Sequence, residues 1–115
     1  MAKRQITVYI NTKDNGGDDL QHTEVKTYHE TLASIYFLED EDGHGFHYCI
    51  AWGWEPATFD AKVFDTELEA LRYVCHRSGL ADKYDYIRLR QGYYANSEAG
   101  AITYRDNIEC INLAA

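Results

Sequence analysis

Apolar residues recur at every second position near the start of the chain. Ile6, Val8 and Ile10 alternate with Thr7, Tyr9 and Asn11 over residues 5–12, the period of a half-buried strand. The segment 13–21, KDNGGDDLQ, holds breakers and acids and reads as a loop. Alternation resumes over 22–30, with Val25 and Thr27 opposed to Lys26 and Tyr28, and predicts a second strand. The run LASIYFL at 32–38 predicts a third. Residues 39–45 form a turn around Asp42-Gly43, a pair suited to hairpins because glycine supplies the positive φ they need.

The fourth strand, 46–54, places Phe46, Tyr48, Ile50, Trp52 and Trp54 on one face and His47, Cys49, Ala51 and Gly53 on the other. The small second face suits a close approach by a helix or another backbone. Pro56 ends this strand, and a short fifth covers 59–64.

Periodicity then changes. Thr66 and Glu69 match a capping box, and Leu68, Leu71, Val74 and Cys75 follow at helical spacing. Arg72, His76 and Arg77 place positive charge towards the end favoured by the helix dipole. Gly79 supplies a stop, so the helix spans about 66–78. Two more strands follow. The first covers 84–94, with Tyr84, Tyr86, Arg88 and Arg90 on one face. ANSEAG at 95–100 turns the chain, and 101–113 returns with a break near Asp106-Asn107.

The order β-β-β-β-β-α-β-β with short turns predicts an α+β fold, one antiparallel sheet of about six or seven strands with one main helix. Residues 1–115 form a single domain, long enough for one core. One helix covers only one face of such a sheet; the other is left to solvent, to curling of the sheet or to a partner.

Charge narrows the function. The chain carries 11 basic and 19 acidic residues, net −8. That balance opposes a direct grip on nucleic-acid phosphates and on anionic membranes; it suits a basic protein surface. Simple solubility explains it equally well. Cys49, Cys75 and Cys110 are odd in number and widely spaced, which implies reduced thiols and a cytoplasmic setting. The N-terminus lacks the apolar run of a signal peptide.

Catalytic signals are weak. Neighbouring Cys75 and His76 point apart on a helix, and no serine sits in a nucleophile elbow. The glycine pairs lack the spacing and lysine of a phosphate loop. His44, His47 and Cys49 form the one metal-like group, with Asp40 or Asp42 nearby. Their spacing fits no established ligand signature; the competing reading makes His44 a turn residue and sets His47 and Cys49 against the helix. No cofactor is implied.

Tyr9, Tyr28, Tyr36, Tyr84 and Tyr86 fall on faces opposite more apolar sets, as anchors of an interface do and as half-buried sheet tyrosines also do. Acids cluster at Asp14, Asp18 and Asp19 and again at Glu39, Asp40, Glu41 and Asp42. Spread over a β surface with aromatics between, they imitate the charge pattern of nucleic-acid phosphates. The expected protein is therefore a non-enzymatic inhibitor that occludes the basic surface of a nucleic-acid-binding complex, through Asp18, Asp19, Tyr36 and Glu39 to Asp42. In size, charge and missing catalytic motifs this profile is similar to small phage or mobile-element proteins of the anti-CRISPR and anti-restriction kind; that likeness covers no specific stretch and assigns no residue. The alternatives are a metal or enzyme site at His44, His47 and Cys49, and a homo-oligomeric module, such as a homodimer, packed through the uncovered face.

Overall fold

A computed structural model describes residues 4–13, 22–40, 42–94 and 102–113. The chain builds β1 (Gln5–Lys13), β2 (His22–Lys26), β3 (Thr31–Glu39), β4 (Phe46–Trp52) and β5 (Glu55–Phe64), then α1 (Glu67–Arg77) and α2 (Leu80–Lys83), then β6 (Tyr86–Tyr94) and β7 (Ile102–Asn112). All seven strands join one sheet in the order β5-β4-β3-β2-β1-β6-β7.

The sheet is mixed rather than antiparallel. β1 to β5 form an antiparallel meander, as short turns require. β6 pairs with β1 in parallel, Gln5 opposite Tyr86 and Lys13 opposite Tyr94. A parallel neighbour needs a crossover, and the two helices provide it: the chain leaves β5 at one edge and returns as β6 beside β1, with four strands in between. Arg4 and Asp85 mark the seam, with the Arg4 N–H donating to Asp85 Oδ2 at 3.0 Å and the Asp85 N–H donating to Arg4 O at 2.8 Å.

The α1 signals act as the sequence suggests. Thr66 is the N-cap, and its Oγ1 accepts from the Glu69 N–H at 3.2 Å. Gly79 adopts φ 85, a left-handed conformation open to glycine, and α2 follows at once. α2 has only four residues, too few for a periodic signal. α1 buries Ala70, Leu71, Val74 and Cys75, whereas Leu68, expected on that stripe, is 52 % exposed.

Both helices pack on the sheet face carrying Val8, Val25, Ala33, Ile35, Ile50, Trp52, Phe64 and Ile87. Tyr73 reaches from α1 to the rings of Phe64 and Trp52, at 5.1 and 6.1 Å between centroids. The helix thus lies on the aromatic face of β4. His47, Cys49 and Ala51 belong to the helix-free face, contrary to the expectation that this small face meets the helix. Bulky side chains supply the apolar area that an amphipathic helix buries.

Other expectations shift locally. Pro56 lies near the start of β5 rather than in a turn before it, which an edge strand tolerates because its N–H side faces solvent. β2 ends at Lys26, and Tyr28 sits in the β2–β3 turn, 84 % exposed. Tyr84 packs on the core rather than sharing a face with Arg88. The expected break at Asp106-Asn107 is a bulge inside continuous β7, since Leu89 opposes Glu109 while Gln91 opposes Arg105.

Candidate acidic and aromatic interface

The meander sets several loops side by side. The β3–β4 hairpin closes with the Asp40 N–H donating to Gly45 O at 2.8 Å and the Gly43 N–H donating to Asp40 O at 2.9 Å. Gly43 has φ 70, the left-handed conformation expected of the Asp42-Gly43 pair. β4 runs back antiparallel to β5, with Tyr48 opposite Phe64. The end of β5 and the start of α1 therefore lie beside the hairpin. Glu39, Asp40 and Asp42 from the hairpin join Asp65, Glu67 and Glu69 from the β5–α1 junction at one end of the sheet.

His47 ties these two segments together. Its Nε2–H donates to Asp40 Oδ2 at 2.9 Å. Its Nδ1, buried and without a hydrogen bond, lies 3.6 Å from Asp65 Oδ1. Each ring nitrogen thus faces its own carboxylate on opposite sides of the imidazole, an arrangement that braces two loops but does not chelate. Cys49 lies two positions along the same strand, and its Sγ donates to His47 O at 3.8 Å. Burial, then the Asp40 charge, pushes the Cys49 thiol above its ordinary range, which disfavours the thiolate a metal needs. His44 is exposed on the turn. Among the described residues no three His, Cys, Asp or Glu side chains gather closely enough to hold a metal ion.

The two faces at this end differ. On the helix-free face Tyr36 stacks on His22 at 4.7 Å and meets Phe59 edge-on at 5.4 Å. On the helix face Phe37 stacks on Phe46 at 5.2 Å and contacts Tyr48 at 4.7 Å. Phe37 and Phe46 are 51 % and 54 % exposed. They stand beyond the first turn of α1, where the helix stops covering the sheet. A cavity of about 380 Å³ opens there, lined by Thr12, His22, Thr23, Ile35, Phe37, Tyr48 and Glu67. Burial raises the Glu67 carboxyl above its ordinary range.

Of the residues expected to bind, Glu39, Asp40 and Asp42 gather at this end, while Tyr36 lies on the opposite face from Phe37 and Phe46. Asp18, Asp19 and Glu41 lie outside the described residues. Asp65, Glu67, Phe37 and Phe46 were not singled out by sequence. The alternation of Phe37 with Tyr36 and Leu38 carries part of the signal; the approach of Asp65 to His47 is tertiary and has none.

Away from this end, Trp52 donates its indole N–H to Asp60 Oδ2 at 2.9 Å and stacks on Trp54 at 4.7 Å. No described helix is long and apolar enough to cross a membrane. No family model matches the chain, and no curated protein and no solved structure is significantly similar to it.

Proposed function

We propose that this chain is a non-enzymatic binding protein that occludes the basic, nucleic-acid-handling surface of a protein partner, as small phage-encoded inhibitors of host defence do. One observation carries the reading: six acids from two segments share an end of the sheet with two half-exposed phenylalanines. Acids steer a basic partner and raise its on-rate. Desolvated aromatic anchors then supply affinity.

The test begins with partners captured from bacterial lysate at low and at high salt, followed by association kinetics. Glu39→Gln, Glu41→Gln and Asp42→Asn together leave the Asp40–His47 contact intact. This variant is expected to associate more slowly and with a shallower salt dependence. On-rates equal to the parent at low salt would remove the hairpin from the interface.

A second reading has one observation of its own. On the helix-free face Phe59 and Val63 are 45 % and 46 % exposed beside Tyr36, an apolar strip that a second copy can cover. Light scattering separates the two, since a monomer at every concentration removes an obligate homodimer through that strip.

A further inference from the structure

The geometry points to the cavity between α1 and the ends of β1 to β4 as a receptor for one arginine side chain of the protein partner. The inference rests on the binding reading above and sharpens it to a single anchor. Three features of the cavity select this occupant.

Its wall is aromatic. Phe37 and Tyr48 meet at 4.7 Å and line the cavity together, and half of Phe37 remains exposed. A cation resting on such faces is attracted by the ring quadrupole, and a guanidinium also stacks on them. The molecule already uses this pairing nearby, where Lys62 Nζ sits 5.6 and 5.1 Å from the ring centroids of Phe64 and Tyr73.

Its acid stands at the rim, on the solvent-exposed first turn of α1. Glu67 lines the cavity at the first position of α1, and burial raises its carboxyl above the ordinary range. A carboxylate beside an aromatic wall gives an arriving cation a charge-assisted hydrogen bond together with the ring contact. A neutral apolar side chain would leave that carboxylate worse solvated. An anion would meet Glu67 itself, and Asp65 and Glu69 on the same junction.

Its remaining polar lining includes two hydroxyls able to accept, with His22, whose ring stacks on Tyr36, beside them. Thr12 and Thr23 are register partners on the helix face, and both line the cavity. Arginine offers five N–H donors in a planar fork, against three on lysine's compact ammonium. One carboxylate and two hydroxyls around the cavity offer such a fork several acceptors. The volume, about 380 Å³, lies at the small end of ligand sites, so it takes a side chain rather than a folded segment.

The probe is N-acetyl-arginine methylamide, titrated into isotopically labelled full-length protein and followed by amide chemical shifts. Its citrulline counterpart keeps the shape without the charge. The expected result is saturable shifts at Thr23, Phe37, Tyr48 and Glu67, with citrulline about tenfold weaker as a charged hydrogen bond becomes neutral. Glu67→Gln is expected to erase that preference, and Phe37→Ala, at a half-exposed site, to weaken both probes. Equal response to arginine and citrulline, shifts confined elsewhere, or an unaltered preference in Glu67→Gln would each overturn the assignment.

The outcomes separate the two readings. A partner captured normally by Glu67→Gln, with no arginine preference at the cavity, overturns the receptor and leaves the binding function standing. An arginine response lost in Glu67→Gln, with no partner captured at any salt, upholds the receptor and counts against the proposed inhibition.

Discussion

Gly53→Ala tests the packing of β4 against the start of β3 at a position where surface exposure misleads. Gly53 is exposed, and exposed substitutions usually change stability by less than about 0.5 kcal/mol. A Cβ built there would overlap Thr31 O and lie 3.1 Å from Leu32 O. Both are main-chain atoms, so no rotamer change relieves the clash. The strand must move and strain the 2.8 Å bond from the Gly53 N–H to Leu32 O. Overpacking costs about 1–3 kcal/mol, and a weakened hydrogen bond about 1 more. With unfolding entropy near 2.1 cal/mol/K per residue, a loss of about 3 kcal/mol lowers Tm by about 12 °C for this 115-residue chain. Gly43→Ala is the control. Gly43 has φ 70 and open space around its Cβ position, so it bears only the left-handed penalty of about 1–2 kcal/mol. Thermal melts of the two variants decide. If Gly53→Ala melts as high as Gly43→Ala, the steric reasoning is wrong.

Two further predictions concern titratable groups. Burial acts to raise the Asp60 carboxyl, but hydrogen bonds from the Lys62 N–H and the Trp52 indole, with Arg77 and Lys62 charges nearby, outweigh it and hold the carboxyl below its ordinary range. The native state therefore binds fewer protons than the unfolded chain just below the ordinary carboxylate range, and stability is lost as pH falls through the native value. Asp60→Asn keeps an acceptor for Trp52 and should flatten the acid limb of urea midpoints measured against pH; an unchanged limb would exclude Asp60 as its source. For the thiols, Cys75 is buried and pushed up to about 12 by burial, so at pH 8 only about one in ten thousand is thiolate. Mass spectrometry after brief alkylation of native protein should show Cys110, which is exposed, modified first, and Cys75 only after unfolding. Early labelling of Cys75 would contradict the packing of α1.

Local chemistry made much of the fold legible. Thr66, Glu69 and Gly79 bound α1 because caps act within one turn. Asp42-Gly43 located the hairpin for the same reason. Alternation correctly separated Tyr9 and Tyr36 from the apolar face, because strand side chains alternate by covalent geometry. What alternation cannot carry is the identity of a strand's neighbour. β6 alternates equally well beside β1 or at an antiparallel edge, and only the crossover through α1 and α2 decides between them. The placement of His47 and Cys49 failed for a related reason: two faces were visible in β4, but which one meets the helix depends on area buried across several strands. Pro56 reads as a stop in sequence because proline is excluded from central strands, whereas an edge strand admits it, and position in the sheet is tertiary. The candidate site divides along the same line. The hairpin acids are contiguous and visible, whereas the cavity draws Thr12, Phe37, Tyr48 and Glu67 from four elements.

The parallel β1–β6 pair also orders how the chain acquires its structure. Arg4 and Asp85, bonded across that seam, are 81 positions apart. Strands β1 to β5 pair through nearby turns and can assemble while the chain is still being synthesised. Without β6, a sheet of β1 to β5 would have an open β1 edge, with Val8 lacking its neighbour Leu89. Such an edge is a template for strand pairing with other chains. Shortened versions ending before residue 86 should therefore self-associate more than the full chain does, a difference that light scattering reads, and the last quarter of the chain acts as the cover of an edge that the rest of the sheet leaves open.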